Sequence, residues 1–176
     1  MGTWTAFYVQ TSDVKKVEKT LTQLLKGSTF RVKHQQGYTN WPSKWTQEEG
    51  IPEFMAIGKG QEDWVTIKHN TFDKLEHWAA FISEELATTV IVSFAHSVSG
   101  LHYLAIHQSG RLIKETGELL MNDIIGYVRQ YGLQMEFDYS ETRWTTIDLG
   151  PEGGETVGDL EQKILNPTAK PWWKFW

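Results

Sequence analysis

The chain has 176 residues, 40% hydrophobic and 22% charged, which suits one domain with its own core, or one domain and an appendage. Its 17 basic and 22 acidic side chains give a net charge of −5, which speaks against a general nucleic-acid binder, since those carry a basic domain or stripe. The absence of cysteine excludes disulfides, thiolate zinc sites, iron–sulfur clusters and cysteine nucleophiles.

The first element expected is a strand over Thr5 to Gln10, with Phe7 and Val9 on one face and Ala6 and Tyr8 on the other. Thr11, Ser12 and Asp13 offer caps for a helix whose stripe is Val14, Val17, Leu21, Leu24 and Leu25, with Gly27 as its stop. Phe30, Val32 and His34 alternate in a second strand. Gln36 to Pro52 then reads as a loop, yet it carries Tyr38, Trp41 and Trp45. Phe54 to Ile57 and Trp64 to His69 read as strands joined by Gly58-Lys59-Gly60-Gln61. Asn70 or Thr71 is the expected cap of a second helix that buries Leu75, Trp78, Ala79, Ile82 and Leu86.

The clearest β-pattern follows. Thr88 to Val98, Leu101 to Gln108 and Arg111 to Lys114 are separated by Ser99-Gly100 and Ser109-Gly110, each suited to a two-residue hairpin turn. A helix is expected over Glu118 to Tyr131, with Leu120, Ile124, Tyr127, Val128 and Tyr131 on one side and Gly126 as an interior weakness. Met135 to Tyr139 and Trp144 to Asp148 resemble late strands. Gly150 to Gly158 is a glycine-rich acidic linker, and Leu160 to Leu165 allows a short helix. The chain closes on Lys170-Pro171-Trp172-Trp173-Lys174-Phe175-Trp176. Such an aromatic and cationic cluster docks on its own fold, enters a partner's groove or rests on a membrane surface.

The sequence also echoes itself. Trp4, Phe7, Thr11 and Asp13 align with Trp64, Ile67, Thr71 and Asp73, and one inserted residue brings Val17, Leu21 and Leu25 onto Trp78, Ile82 and Leu86. Duplication and the chance likeness of two amphipathic strand–helix pairs both account for this. The element order suits an α+β fold: an antiparallel sheet with helices on one face, a ferredoxin-like split βαβ core extended by a β-meander. Residues 1–149 are expected to form one domain, and 150–176 a linker and aromatic tail.

The candidate chemistry is thin. His96, His102 and His107 lie on the meander, but the expected Ser99-Gly100 hairpin sets His96 opposite Tyr103 and Val92 opposite His107, and turns His102 to the other face. Those spacings are too long for one metal, so no metal and no cofactor are expected. His77 and Glu84 flank Phe81 as solvated helix positions. Glu48-Glu49, Glu62-Asp63 and Glu84-Glu85 are neighbours whose side chains diverge. Gly58-Lys59-Gly60 lacks the spacing of a phosphate loop, and Ser97-Val98-Ser99-Gly100 lacks that of a nucleophile elbow.

The stretch from Asp63 to Glu115 resembles a loose pattern found in uncharacterised bacterial proteins. It is carried by Asp63-Trp64-Val65-Thr66-Ile67, Phe81-Ile82-Ser83-Glu84-Glu85-Leu86, Val90 to Phe94, and Leu104-Ala105-Ile106-His107-Gln108-Ser109-Gly110-Arg111. Where that pattern has an acidic turn, this chain has His96-Ser97-Val98-Ser99-Gly100, and the resemblance implies no activity.

The expected function is therefore a non-catalytic binding or protein-interaction module, a regulator or immunity-like inhibitor. Tyr38, Trp41, Trp45, Trp172, Trp173, Phe175 and Trp176 are its expected partner contacts. The partner expected is a protein, with a membrane surface or a second copy of the chain as alternatives. The N-terminal stretch has neither the charge nor the apolar run of a signal peptide, and no run approaches the ~18 apolar residues of a membrane span, so a cytoplasmic location is expected. The rival function is an enzyme using His96 or His107 beside Tyr103. A third is a membrane-peripheral adaptor using the tail.

Overall fold

The computed structural model describes residues 3–26, 30–36, 52–61, 63–71, 73–96, 101–117, 121–133 and 143–149. These build eight strands and three helices in the order β1 (Thr3–Gln10), α1 (Val14–Leu24), β2 (Arg31–Gln36), β3 (Phe54–Lys59), β4 (Trp64–His69), α2 (Glu76–Glu85), β5 (Thr89–His96), β6 (Leu101–Gln108), β7 (Arg111–Thr116), α3 (Met121–Arg129) and β8 (Arg143–Asp148). The fold is a mixed α+β one. All eight strands join one antiparallel sheet, ordered β2-β8-β3-β4-β1-β5-β6-β7.

Two crossovers shape its centre. From β1 the chain passes through α1 and the edge strand β2 before it reaches β3, with β4 lying between β1 and β3. From β4 it passes through α2 to β5, with β1 between. Both helices pack on the face that carries Phe7, Val9, Ile57, Val65, Ile67, Val90 and Val92. The buried stripes are Val17, Leu21 and Leu24 on α1 and Trp78, Ala79 and Ile82 on α2, as the helical periodicity requires.

The expectation of helices on one face needs correction. α3 packs on the opposite face, where Ile124, Val128 and Leu133 meet Ala6, Tyr8, Trp64, Ile91, Leu104 and Ile106. The central strands are apolar on both sides, so both faces need cover; Ala6 to Val9 are all fully buried.

Local chemistry sets the element ends. Asp13 caps α1, its Oδ1 accepting from the Lys16 N–H at 3.0 Å. Asn70 and Thr71 do not cap α2. Asn70 Oδ1 accepts from the Phe54 N–H, Thr71 Oγ1 accepts from the Asp73 N–H, and Asp73 Oδ1 accepts from the Leu75 N–H. The N-cap is Leu75, held at φ 50°. At the other end of α2, Ala87 takes φ 49° while the Thr88 N–H reaches the Ser83 carbonyl at 3.0 Å, a six-residue closure of the Schellman kind.

The Ser109-Gly110 turn forms as expected: Gln108 pairs with Arg111, and both turn residues have positive φ (48° and 81°). It docks beneath α2, where the Gly110 N–H donates to Ser83 Oγ at 2.9 Å. The other hairpin differs from expectation. His96 pairs with Leu101, Phe94 with Tyr103 and Val90 with His107, two positions away from the expected register. The strand ends at His96, so the connection spans four residues instead of two. An even shift keeps every side chain on its expected face.

Candidate functional site

The ionisable side chains gather on the α1/α2 face at its β6–β7 end. Tyr103 and His107 are four residues apart on β6 and so share a face, and Glu115 joins them because β7 sets it beside Ala105. The Glu76 carboxylate arrives from the first turn of α2. The Tyr103 phenol donates to Glu76 Oε1 and lies 3.1 Å from Glu115 Oε1, so one hydroxyl binds α2 to two strands. The Lys74 ammonium sits 3.6 Å from the Tyr103 ring centroid, over the ring's electron-rich face. Burial, then the hydrogen bond and charge of Glu76, then those of Glu115, push the phenol's pKa well above its usual range. Tyr103 is thus a fixed hydrogen-bond donor and no base.

His107 is buried at 4% exposure, and neither ring nitrogen has a hydrogen-bond partner. Burial lowers its pKa, opposed in part by the charges of Glu76 and Glu115. The ring is held neutral. His102 faces the other way, beside Ala95. His96 lies at the far end of the β5–β6 ladder, six positions from Val90, the partner of His107; at ~3.3 Å per residue the two histidine positions are about 20 Å apart. The sheet brings together Tyr103 and His107, and leaves His96 out.

Tyr38, Trp41, Trp45, Trp172, Trp173, Phe175 and Trp176 lie outside the described residues. The Met135–Tyr139 strand and the Leu160–Leu165 helix also lie outside them. Among the described residues, no group of three or more His, Cys, Asp or Glu side chains is placed to hold a metal ion, and no helix is long and apolar enough to cross a membrane.

Sequence reasoning missed Lys74, Glu76 and Glu115. Glu115 was one residue past the expected end of its strand, and Glu76 was one of several acids near a helix start. The signal that leads to them is register: Tyr103, Ala105 and His107 share parity, and whatever lies opposite Ala105 must enter the cluster.

A different feature borders this cluster. β7 is the last strand of the sheet and, among the described residues, pairs only with β6. Leu112 and Ile113 on it are 47% and 49% exposed, and they are the large hydrophobic side chains that the described surface leaves most open. The register shifts at Ile106/His107, where Lys114 faces Ile106 and Leu112 faces His107, so Ile113 is the extra residue of β7. Comparison with protein-family models, with curated proteins and with solved structures finds no match to this chain.

Proposed function

We propose that this chain is a non-catalytic binding or protein-interaction module, a regulator or immunity-like inhibitor, and that β7 is one of its contact surfaces. The observation that carries the reading is β7, which among the described residues pairs only with β6 and bears two exposed aliphatic side chains, Leu112 and Ile113. Edge strands accept a partner's strand through main-chain hydrogen bonds, with alternate side chains giving selectivity. The Tyr103 cluster supports it as well, since its phenol and carboxylates are engaged with one another and brace α2 against β6 and β7. A ferredoxin-like core is part of the same reading: the order β5-β1-β4-β3, with α1 and α2 on one face, supports it.

The test is site-specific photo-crosslinking in extracts of the source cells. A crosslinker at Ile113 is expected to give a discrete adduct that Leu112→Asp abolishes and that a crosslinker at exposed Lys15 does not give. Equal adducts from both positions, or none, would count against the reading.

An enzyme remains the second reading, because Tyr103 and an unpartnered, neutral His107 lie together on one face. It requires a turnover that both Tyr103→Phe and His107→Gln abolish in folded protein.

A further inference from the structure

A polar relay lies at the opposite end of the α1/α2 face from Tyr103. His34 on β2 and Thr145 on β8 are direct partners in the ladder. They share parity with Val32 and Ile147, which pack in the α1/α2 core. His34 Nδ1 lies 3.1 Å from Thr145 Oγ1. Thr145 is buried at 5% exposure, and its hydroxyl donates to Glu18 Oε2 of α1 at 3.1 Å. One hydroxyl thus joins an imidazole on one strand to a carboxylate on a helix.

Proton counting fixes the state of the imidazole. A hydroxyl has one proton and an ionised carboxylate only accepts, so the Thr145 proton points to Glu18. Thr145 Oγ1 then accepts from His34, which places the ring proton on Nδ1. In the neutral ring the lone pair is therefore on Nε2. His34 is exposed, so solvent-borne reagents reach the ring.

We propose that His34 is a phosphoryl-acceptor site, modified at Nε2 by a donor with a P–N bond, such as a phosphohistidine on a partner protein. Nε2 attacks phosphorus and forms the new P–N bond as the donor's P–N bond breaks. The leaving nitrogen keeps that bond's electron pair; its group is protonated beforehand and departs neutral. The His34 ring gains one positive charge while its Nδ1 proton stays in place. The link through Thr145 to Glu18 stabilises that charge, as a carboxylate does behind an imidazolium.

Two cations flank the position. Arg143 precedes Thr145 by two residues on β8, so it points to the same face and stands diagonal to His34, ~7–8 Å away between Cα atoms. The β3–β8 register pairs Ile57 with Thr145 and, continued by two residues, sets Lys59 opposite Arg143. Both cations are exposed. A guanidinium and an ammonium there complement the charge of a phosphoryl group on Nε2. Glu18 lies on the Nδ1 side, beyond Thr145, so its charge is held away from the incoming group. β2 and β7 are the two ends of the sheet, and the site does not depend on the β7 reading.

The test treats the folded full chain with potassium phosphoramidate under mildly alkaline conditions and follows phosphohistidine by phosphorus NMR and mass mapping. Modification of His34 at Nε2 should run at least about tenfold faster than that of the exposed His77, a ratio matching one hydrogen bond to a charged group. Thr145→Val keeps the shape, breaks the relay and should remove that advantage. If it fails to fold, Glu18→Gln replaces it and should slow the reaction severalfold. Nitrogen-15 shifts of the untreated protein should place the His34 ring proton on Nδ1. A ring proton on Nε2, equal rates at His34 and His77, or an unchanged rate in the folded variant overturns the proposal.

Discussion

Phe7 and Ile67 stand directly opposite each other where β1 pairs with β4, and they are also the residues that the internal sequence echo superposes. The pairs on either side, Ala6 with Lys68 and Tyr8 with Thr66, exchange under the same offset. A local twofold axis therefore passes between the two side chains and leaves four strands on each flank. The likeness extends to detail: the Asp13 N–H donates to Thr11 Oγ1 and the Asp73 N–H to Thr71 Oγ1, both at 3.2 Å. Past that point the halves diverge, since Asp13 caps α1 directly while Asp73 holds Leu75 in its left-handed position.

Removing the Asp13 cap tests how far α1 depends on it. Asp13→Ala should cost about 1 kcal/mol, the usual loss for an N-cap that accepts a backbone N–H. Asp13→Asn should cost less, because the amide oxygen still accepts. Urea unfolding midpoints of the three proteins decide it, and equal midpoints would mean that the cap carries no weight.

The Tyr103 hydroxyl joins α2 to the β6–β7 end of the sheet. Tyr103→Phe keeps the ring and the Lys74 contact but removes the donor shared by Glu76 and Glu115. A loss of about 1–3 kcal/mol is expected, as for a hydrogen bond with a charged partner. Amide exchange should quicken first at Glu76 to Ala79 and at Leu112 to Glu115. Wild-type stability in Tyr103→Phe would refute the bracing role.

Stability should fall with acid through the buried histidines. Burial holds the folded His69 pKa at about 3, against 6.5 for an ordinary histidine, and lowers that of His107 in the same direction. Below pH 6.5 the unfolded chain takes up protons that the folded chain refuses. The stability tied to His69 is thus fully present above 6.5 and is lost as the pH drops toward 3, with a slope approaching ~1.4 kcal/mol per pH unit. Urea midpoints between pH 7.5 and pH 4.5, as about the range most proteins tolerate, should decline less steeply in His69→Gln. Identical slopes would show that other groups govern the acid limb.

Two residues occupy each other's preferred conformations. Ala87, exposed, sits at φ 49° after α2, where glycine is favoured. Gly126 sits inside α3, and a Cβ there would meet nothing within 4 Å. Ala87→Gly and Gly126→Ala should each stabilise the fold by about 0.5–1 kcal/mol. Gly110→Ala should do the reverse, because φ is +81° and its Cβ would come within 3.1 Å of the Glu84 Cβ. Thermal midpoints of the three variants provide the check.

Periodicity made most of this architecture legible. β4 and β6 span their expected residues, and the buried stripe of α2 is the one its spacing implies. Placement of α3 was not legible, because an apolar stripe states that a helix is covered and not by which face. The β5–β6 register is not legible for a local reason: Ser99-Gly100 suits a complete two-residue turn, whereas pairing stops at His96. The site was legible only in part. Tyr103 and His107 share a strand and its parity, while Glu76 and Glu115 reach them through contacts between elements that no local pattern encodes.

The pairing of β2 has a bearing on how the chain is made. Among the described residues β2 has β8 as its neighbour, and the link from Thr146 to Lys33 closes a sequence gap of 113 residues. During synthesis β2 leaves the ribosome long before its partner exists. The β1-β5-β6-β7 strands need nothing beyond Thr116 to pair, and their second face is covered once Ile124, Val128 and Leu133 follow, all before β8 exists. The other flank waits for Asp148, so a nascent chain shorter than that holds β2 and the outer edge of β3 without the strand that joins them.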